Sequence, residues 1–229
     1  MQTAHENAYL KSEFFTQLSE SARADLGSLI FPSAYPAHST LFAETQPASG
    51  IFVVLEGEVR LSINSSDGRR LSLRIARAGE VLGLSATVSG KPYEMTAETL
   101  YPAKVAHVTQ QAFLHFLARH PEAYQTVARE MIGTYNAACE QLRMVGLAAS
   151  APQRLARLLL GWSESDSQHQ AGARCRIAMT HEEIGEFIGA SRETVTRTLS
   201  VFKHRHLVAQ HGATLTIPNP DELEMYACS

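Results

Sequence analysis

The sequence predicts an α+β protein built in three successive parts: an antiparallel β-roll, a long helix and a winged helix-turn-helix. Three observations support this prediction. Short apolar and β-branched runs alternate with turn residues as far as Val108, a heptad-like apolar seam follows, and two capped amphipathic segments lie near the C-terminus. We expect the three parts to occupy residues 1–120, 121–147 and 148–229.

The composition indicates a globular protein with a core of its own. The chain has 229 residues, of which 45% are hydrophobic and 19% charged, and its formal net charge is −3, so that any nucleic-acid surface must be local. No apolar run approaches the length of about 18 residues that a transmembrane helix needs, and the N-terminus lacks the apolar run of a signal peptide. Three scattered cysteines favour a reducing compartment. We therefore expect a cytoplasmic protein without a membrane partner.

The first part is predicted to begin with a helical entry and to continue as short strands. The entry, residues 1–30, carries an apolar face that consists of Phe14, Phe15, Leu18 and Leu26. Beyond it, Gly57, Gly68 and Gly79 recur every eleven residues, and the stretch SSDG that ends at Gly68 is typical of a hairpin turn. Regular short strands of this kind favour an antiparallel barrel or jelly roll.

The long helix is predicted by apolar residues at alternating steps of four and three positions, which form an a/d seam. The seam consists of Tyr124, Ala128, Met131, Tyr135, Ala138, Leu142 and Val145. Such a seam either packs on the β-roll or meets a second copy of the chain. Because Val127, Ile132 and Cys139 supply another apolar flank, we expect that flank to meet the β-roll and the seam to form a homodimer interface.

The segment of residues 179–208 carries the pattern of a helix-turn-helix. Thr180 is a suitable N-cap for a first helix, and Glu183 would complete its capping box. Gly189 permits a tight turn, after which Ser191 is a suitable N-cap for a second helix. The two helices are therefore expected to start and stop at positions that the sequence marks.

The exposed side of the second helix has the chemistry of base reading. Arginine donates two hydrogen bonds to guanine, glutamate accepts one from cytosine, and a recognition helix brings its N-terminal residues to the major groove. We predict an interface for double-stranded DNA that consists of Ser191, Arg192, Glu193, Thr196, Arg197, Ser200 and Lys203 together with Thr180. Two short β runs around Gly212 predict a wing, where His211 would meet phosphates.

With these motifs the chain resembles the Crp/Fnr family of bacterial transcription factors, named after the cyclic-AMP receptor protein and the fumarate–nitrate reduction regulator. The resemblance covers nearly the whole chain, and IGEFIGASRETVTR is its most specific part. It implies a β-roll like a cyclic-nucleotide-binding jelly roll, and a homodimer that binds palindromic DNA and contacts RNA polymerase. In receptor-like members an R-E-x-x-x-R face reads a TGTGA-like half-site. Arg192, Glu193 and Arg197 occupy the matching positions, which implies a GTGA-containing palindrome.

The same resemblance places a cyclic-nucleotide cassette at the glycine-rich stretch AGEVLGLSATVSGKPYE. The cassette positions are Gly79, Glu80, Gly83, Leu84, Tyr93 and Glu94. Leu84 stands where the family pattern has a glutamate for the ribose, and Tyr93 and Glu94 stand at about the positions of the arginine and serine for the phosphate. Because burial of a phosphate without a counter-charge is unfavourable, we expect that cyclic nucleotides do not bind and that the effector is unknown.

We expect neither a resident cofactor nor enzymatic activity, because no nucleophile elbow, phosphate loop or zinc motif occurs. The resemblance also excludes an iron–sulfur cluster of the cysteine-ligated type, since residues 1–50 contain no cysteine. The alternatives are a cyclic phosphate held by another cation, a haem, a redox-active thiol and a cupin-like metal-binding roll with an accessory helical domain. The substitute cation for the cyclic phosphate would be Arg74, Arg77 or Lys91, and the haem ligand would be His107 or His115. The redox-active thiol would be Cys139. The ligands of the cupin-like metal site would be His38, Glu44, Glu56 and Glu58.

Overall fold

The computed structural model describes residue 10 and residues 12–147, 150–166, 173–176, 179–211 and 214–228. The chain divides into two compact units, one up to Ala138 and one from Cys139 onward. The first unit is an antiparallel β-roll with flanking helices, and the second contains the helix-turn-helix, so the predicted α+β fold class is confirmed. Within the ranges given above, no helix is long and apolar enough to cross a membrane.

The elements of the first unit follow the predicted order. They are α1 (Glu13–Thr16), α2 (Glu20–Ser28), β1 (Pro32–Tyr35), β2 (Thr40–Phe42), β3 (Gly50–Glu56), β4 (Glu58–Asn64), β5 (Arg70–Arg77), β6 (Val81–Leu82), α3 (Leu84–Ser89), β7 (Thr96–Thr99), β8 (Ala103–Thr109), α4 (Gln110–Arg119) and the first part of α5 (Ala123–Leu147). The strands pair as two antiparallel sheets in the orders β1-β8-β3-β6 and β2-β7-β4-β5.

Strand β3 separates two apolar cores, because its side chains alternate between the two faces of its sheet. Ile51 and Val53 point toward the helices, where they join Phe15, Phe113 and other buried residues. Phe52 and Val54 point toward the second sheet and join the core between the sheets. Burial on both faces explains why β3 is a continuous apolar run rather than an alternating one.

The predicted helical entry is two helices rather than one. Helix α1 ends at Thr16, and Ser19 then starts α2 by accepting a hydrogen bond from the amide of Ala22 at 3.2 Å. The four predicted apolar residues, Phe14, Phe15, Leu18 and Leu26, are all buried. The apolar spacing therefore identified the buried face, whereas the serine cap decided where the helix breaks.

The predicted SSDG turn joins β4 to β5. The amide of Gly68 donates to the carbonyl of Ser65 at 2.9 Å, and the amide of Ser65 donates to the carbonyl of Arg69 at 2.8 Å. The two strands then pair from Asn64 and Arg70 onward with one register shift. Hence the hairpin prediction is confirmed.

The second unit contains the remaining part of α5 and a small sheet beside the helices. Its elements are α6 (Ala151–Asp166), β9 (Ala173–Arg176), α7 (His181–Ile188), α8 (Arg192–His204), β10 (Ala209–His211), β11 (Thr214–Ile217) and α9 (Pro220–Cys228). Neither β9 nor α9 was expected from the sequence. Strand β9 pairs with β11, and this pairing partner, rather than a local pattern, makes it a strand.

Gly185 lies inside α7 where this helix packs closely against the turn that follows it. A Cβ atom built on Gly185 would lie 2.4 Å from the carbonyl oxygen of Ala190, a backbone atom that follows the turn. The amide of Ala190 also donates to the carbonyl of Gly185 at 3.0 Å. A side chain at this position would therefore push the turn away from the helix.

We predict that Gly185→Ala destabilises the protein by about 1–3 kcal/mol, because overpacking outweighs the better helix propensity of alanine. Gly161→Ala is the matched control, since Gly161 also lies inside a helix but a Cβ there would meet nothing within 4 Å. That control should be neutral or stabilising by up to about 1 kcal/mol. Urea unfolding of both variants measures the difference, and equal stabilities would contradict the packing argument.

Candidate nucleic-acid interface and effector pocket

The two helices of the helix-turn-helix begin at the predicted caps. The Thr180 hydroxyl accepts from the amide of Glu183 at 3.2 Å, and the Glu183 carboxylate accepts from the amide of Thr180 at 2.8 Å, which completes the capping box. Gly189 ends α7 in the left-handed conformation. Ser191 then caps α8 by accepting from the amide of Thr194 at 3.3 Å. The start of α8 is thus determined by the end of α7 at Gly189 and by the Ser191 cap.

The C-terminal carbonyls of α7 are bound by side chains that the sequence analysis did not single out. The Arg154 Nε donates to the Ile188 carbonyl at 2.6 Å, and the buried Gln141 amide donates to the Phe187 carbonyl at 2.7 Å. These carbonyls have no partner within the helix, so the two side chains satisfy them. In the sequence, these roles could have been suggested only by Gln141, a polar residue within the apolar pattern of α5, and by Arg154, which lies early in the helix that follows.

The predicted reading face of α8 is exposed, and its opposite face is buried. Val195, Leu199 and Phe202 are at most 3% exposed and join the core of the second unit. The predicted contact residues on the exposed side are Ser191, Arg192, Glu193, Thr196, Arg197, Ser200 and Lys203. Within the described part of the chain, the guanidinium groups of Arg192 and Arg197 form no ion pair or hydrogen bond, so both are available to an outside acceptor.

Thr196 has its hydroxyl engaged within the protein. It donates to the Arg192 carbonyl at 2.9 Å, and it lies 2.7 Å from the Nδ1 atom of His181 at the start of α7. Partial burial, followed by the positive charges of Lys203 and Arg192, lowers the pKa of His181 below its ordinary value. His181 is therefore a neutral partner that the sequence analysis did not predict, and it joins the two helices at the reading face.

The acid on the reading face is held in its charged form. Hydrogen bonding to its own backbone amide and to the Ser191 hydroxyl lowers the pKa of Glu193 below its ordinary value. An ionised carboxylate accepts hydrogen bonds only, which is what cytosine N4 requires. Farther along the helix, the Lys203 ammonium donates to the Gln210 side chain of β10 at 2.6 Å, which links the end of α8 to the hairpin.

The predicted hairpin after α8 is present. Strand β10 pairs with β11 in antiparallel register, with Ala209 opposite Thr216. Its turn residue Gly212 lies outside the described residues, and so does the side chain of His211. The suggested phosphate contact of the wing therefore stays a prediction.

Helix α5 exposes large apolar side chains. Exposed fractions reach 47% for Tyr124, 58% for Ile132 and 69% for Tyr135 within the first unit, and 66% for Leu142 within the second. Met131, a predicted seam residue, is instead partly buried against the core of the first unit. The exposed stripe thus passes through Ile132, which the a/d pattern assigned to the other flank.

The remaining seam positions differ in exposure. Ala128 is exposed, whereas Ala138 and Val145 are half-buried. Val145 lies close to the helix-turn-helix of its own chain, because its Cγ1 atom is 3.1 Å from the position of a Cβ on Gly189. Near Met131 the exposed apolar stripe therefore lies one position away from the strict heptad, at Ile132. The heptad also includes Val145, which lies close to the helix-turn-helix of the same unit.

The cassette forms a tight turn and a short helix in the first unit. Gly79 lies in the turn between β5 and β6, where its amide donates to the Val54 carbonyl at 2.7 Å. Gly83 has φ +77°, and a Cβ there would lie 2.9 Å from the Tyr93 ring, so this position requires glycine. The Glu80 carboxylate accepts from the Arg77 amide at 2.8 Å and pairs with the Arg74 guanidinium.

Tyr93 fills the position that the resemblance assigns to a phosphate-binding arginine. Its ring is 2% exposed and stacks on Phe42 at a centroid distance of 4.1 Å. Its hydroxyl donates to the Gly50 carbonyl at 2.6 Å and accepts from the amides of Gly50 and Ser49, both at 3.1 Å. Tyr93 therefore serves the backbone at the start of β3.

Leu84 and Glu94 complete the departure from the family pattern. The Leu84 side chain is 4% exposed and joins the apolar core. The Glu94 carboxylate accepts from the Ser85 hydroxyl at 2.6 Å. Both groups border a cavity of about 360 Å³, together with Gly83, Tyr93 and Arg74. Gly79 and Glu80 instead border a separate cavity of about 410 Å³.

The residues of the alternative metal and haem sites interact with different partners and not with one another. The Glu44 carboxylate accepts from the Asn64 amide, Glu56 pairs with Lys104, Glu58 with Arg77, and His38 with Glu98. Among the described residues, no three His, Cys, Asp or Glu side chains are grouped as metal ligands. His107 packs against Phe52, with its pKa lowered mainly by burial, and His115 is exposed on α4. Cys139 is a half-buried free thiol.

Two family models match the chain. Residues 32–120 match the cyclic nucleotide-binding domain, and residues 153–226 match the Crp-like helix-turn-helix domain. The two matches cover most of the β-roll and most of the second unit, and they lie in the order that the motifs predict.

Known proteins of similar length share this architecture. The chain is 26% identical over 214 residues to a CRP-like cAMP-activated global transcriptional regulator of Mycobacterium tuberculosis, with 93% of this chain and 95% of the relative covered. It is 23% identical over 184 residues to the cAMP-activated global transcriptional regulator CRP of Salmonella typhimurium, with 80% and 87% covered. The solved structure of FixK2 from Bradyrhizobium japonicum has the same fold, with a TM-score of 0.76, 23% identity, and 87% and 98% covered. The chain therefore belongs to the Crp/Fnr family of DNA-binding transcription regulators.

Proposed function

We propose that this protein regulates transcription as a homodimer that reads a palindromic site containing GTGA. The observation that carries the proposal is the exposed face of α8, on which Arg192 and Glu193 are adjacent and Arg197 follows about one helical turn later, at the positions that the R-E-x-x-x-R pattern requires. No described residue pairs with either guanidinium group, so both have donors for guanine, and the carboxylate is an acceptor for cytosine.

The sequence-blind part of the interface consists of groups around the reading face. Lys203, Ser200 and the caps Thr180 and Ser191 are exposed at the two ends of α8 and at the start of α7. Groups of this kind bind phosphates and fix the register of a recognition helix in the groove. In a dimer, two such helices enter successive major grooves about 34 Å apart, which is why we propose an inverted repeat.

We predict that Arg192→Ala and Arg197→Ala each weaken binding to a GTGA-N6-TCAC duplex by about 1–3 kcal/mol and relax the preference for guanine. Arg69→Ala is the control, since Arg69 carries the same charge on an exposed hairpin of the β-roll. Gel-shift titrations at fixed salt against the palindrome and a GTGA-less duplex measure both effects. If the two variants bind as tightly as the unmodified protein, the assigned reading face is wrong.

The dimer is supported by the exposed apolar stripe of α5. Side chains as large as Ile132 and Tyr135 are seldom more than half exposed side by side on one helix unless a partner covers them. Burial of an apolar face is the main stabilising contribution at such interfaces. We propose that this stripe, shifted from the strict heptad to pass through Ile132, is the contact between two copies.

We predict that Ile132→Asp converts the dimer to a monomer at micromolar concentration, since it places a charge within the apolar stripe. Leu114→Asp is the matched control, because Leu114 is an exposed leucine on α4. Analytical ultracentrifugation measures the mass of each variant. An Ile132→Asp protein that remains dimeric would locate the interface elsewhere.

The effector of this regulator is proposed not to be a cyclic nucleotide, although the relatives named above are described as cAMP-activated. Tyr93 occupies the arginine position and binds the backbone, and Glu94 adds a negative charge beside it. An anionic phosphate would therefore meet repulsion without a compensating cation.

We predict that cyclic AMP at millimolar concentration produces no binding heat and leaves the affinity for the GTGA palindrome within about twofold of its value without the nucleotide. Isothermal titration calorimetry and gel shifts on the same preparation check the two statements. Saturable binding of one nucleotide per chain would show that another cation, such as Arg74 or Lys91, replaces the missing arginine.

A further inference from the structure

The cavity of about 410 Å³ beside the N-terminal helix α1 has no part in DNA reading. Its volume lies in the range of small-molecule sites, roughly 300–1,000 Å³. It is bordered by α1 and its cap, by β5 and the turn after it, and by α5, whereas no residue of α3 borders it. All of these residues belong to the first unit, so the cavity is formed within one chain.

Helix α5 brings two polar side chains without a partner to this cavity. Thr126 is 4% exposed and Glu130 is half-buried. Within the described part of the chain, neither side chain forms a hydrogen bond or an ion pair. The two residues are four positions apart, so their side chains are neighbours on one side of α5. Ile132 and Tyr135, the centre of the proposed dimer stripe, lie on the opposite side of the helix.

The charged groups around the cavity favour a cation. Arg74 pairs with Glu80, so its charge is already compensated. Arg129 is exposed, and its guanidinium donates to the Gln17 side chain at 3.2 Å. Among the described residues that border the cavity, the carboxylates outnumber the guanidinium groups; they are Glu13, Glu80 and Glu130 against Arg74 and Arg129.

The surroundings of Glu130 oppose its negative charge. Burial, followed by the negative charge of Glu80, raises the pKa of Glu130 above its ordinary value; Arg74 acts in the other direction, and Glu13 adds to the increase. A cation beside this carboxylate would favour its ionised form. A half-buried acid with a shifted pKa at a cavity is typical of a functional site, and here it accompanies an unpartnered hydroxyl.

A primary ammonium group matches these two acceptors. It carries one positive charge and three N–H donors, of which one suits the Glu130 carboxylate and another the Thr126 hydroxyl oxygen. The Ser12 hydroxyl on the α1 side is enclosed by protein atoms and takes no part. Phe14, Ala78 and Ala137 also border the cavity and provide apolar surface for a short alkyl chain.

We propose that this cavity binds a small organic cation with a primary ammonium group, which lies between the Glu130 carboxylate and the Thr126 hydroxyl. The proposal goes beyond DNA reading and does not depend on it. It concerns a different cavity from the one beside α3, to which Glu130 and Thr126 do not belong.

The test compares three six-carbon probes on the full-length protein without DNA. Hexylamine, hexan-1-ol and hexanoate have the same chain and differ in the head group. Isothermal titration calorimetry at neutral pH should show saturable binding of one hexylamine per chain. Hexan-1-ol should bind at least about tenfold more weakly because it lacks the charge, and hexanoate should show no saturable binding because the carboxylates repel it.

Three variants of nearly unchanged size locate the amine. Glu130→Gln should weaken hexylamine binding at least about tenfold, and Thr126→Val about threefold to fivefold. Glu94→Gln is the matched control, since it removes a carboxylate at the neighbouring cavity, and it should bind hexylamine as the unmodified protein does. Glu130→Gln removes a half-buried charge, so its melting temperature should not fall.

A second readout places the amine at the helix. In protein with labelled threonine methyl groups, the NMR signal of Thr126 is assigned by its loss in Thr126→Val. Hexylamine should shift this signal in the unmodified protein and leave it in place in Glu130→Gln.

Several outcomes would overturn the proposal. They are the absence of saturable hexylamine binding, an alcohol or carboxylate that binds as tightly as the amine, and a Glu130→Gln protein with unchanged affinity. A loss of affinity in Glu94→Gln as large as that in Glu130→Gln would place the amine in the other cavity and overturn it as well. Gel shifts on the GTGA palindrome test DNA reading separately, so the two failures are distinguishable.

Discussion

The packing of Gly185 against the carbonyl of Ala190 is the constraint on which the proposed reading surface depends. It brings the turn against α7 without an intervening side chain, and so determines where α8 starts. Arg154 and Gln141 then bind the carbonyls at the end of α7. A site that reads bases needs side chains held to within a fraction of an ångström, and rigid helices with satisfied ends provide this better than loops do. The exposed arginines therefore project from a helix whose start is held by close packing and by hydrogen bonds at the end of α7.

In the β-roll, the backbone of the cassette has the shape of a ligand site, but its side chains differ from those of the family pattern. Its backbone forms a turn at Gly79, a left-handed residue at Gly83 and a short helix between two glycines in the stretch that the family resemblance assigns to the cassette. The side chains inside are of another kind, since Leu84 is apolar and Tyr93 binds the backbone. A shared fold therefore carries the geometry of a pocket into this chain but says little about the molecule that fills it.

Much of the fold could be predicted because its signals are local. Caps at Thr180 and Ser191 and the SSDG hairpin depend on neighbouring residues, and each is present where the sequence places it. The signals that failed depend on distant partners. Strand β9 forms because β11 lies beside it, and Met131 turns inward because a core is available to it. Likewise, the reason for a glycine at position 185 inside a helix becomes clear only from its close approach to the Ala190 carbonyl oxygen.

The hydrogen bonds of Tyr93 determine which ligands a single mutation can make accessible. Replacement of Tyr93 by arginine would supply a cation, but it would leave the amides of Ser49 and Gly50 and the Gly50 carbonyl without their present partner. Each buried backbone group that loses its partner costs about 1–3 kcal/mol, a large part of the stability of a typical domain. Leu84 and Glu94 would still be unsuited to a nucleotide. If this chain does not bind cyclic nucleotides, as proposed, such binding is several substitutions away from this sequence, and the first of these steps lowers stability before any affinity is gained.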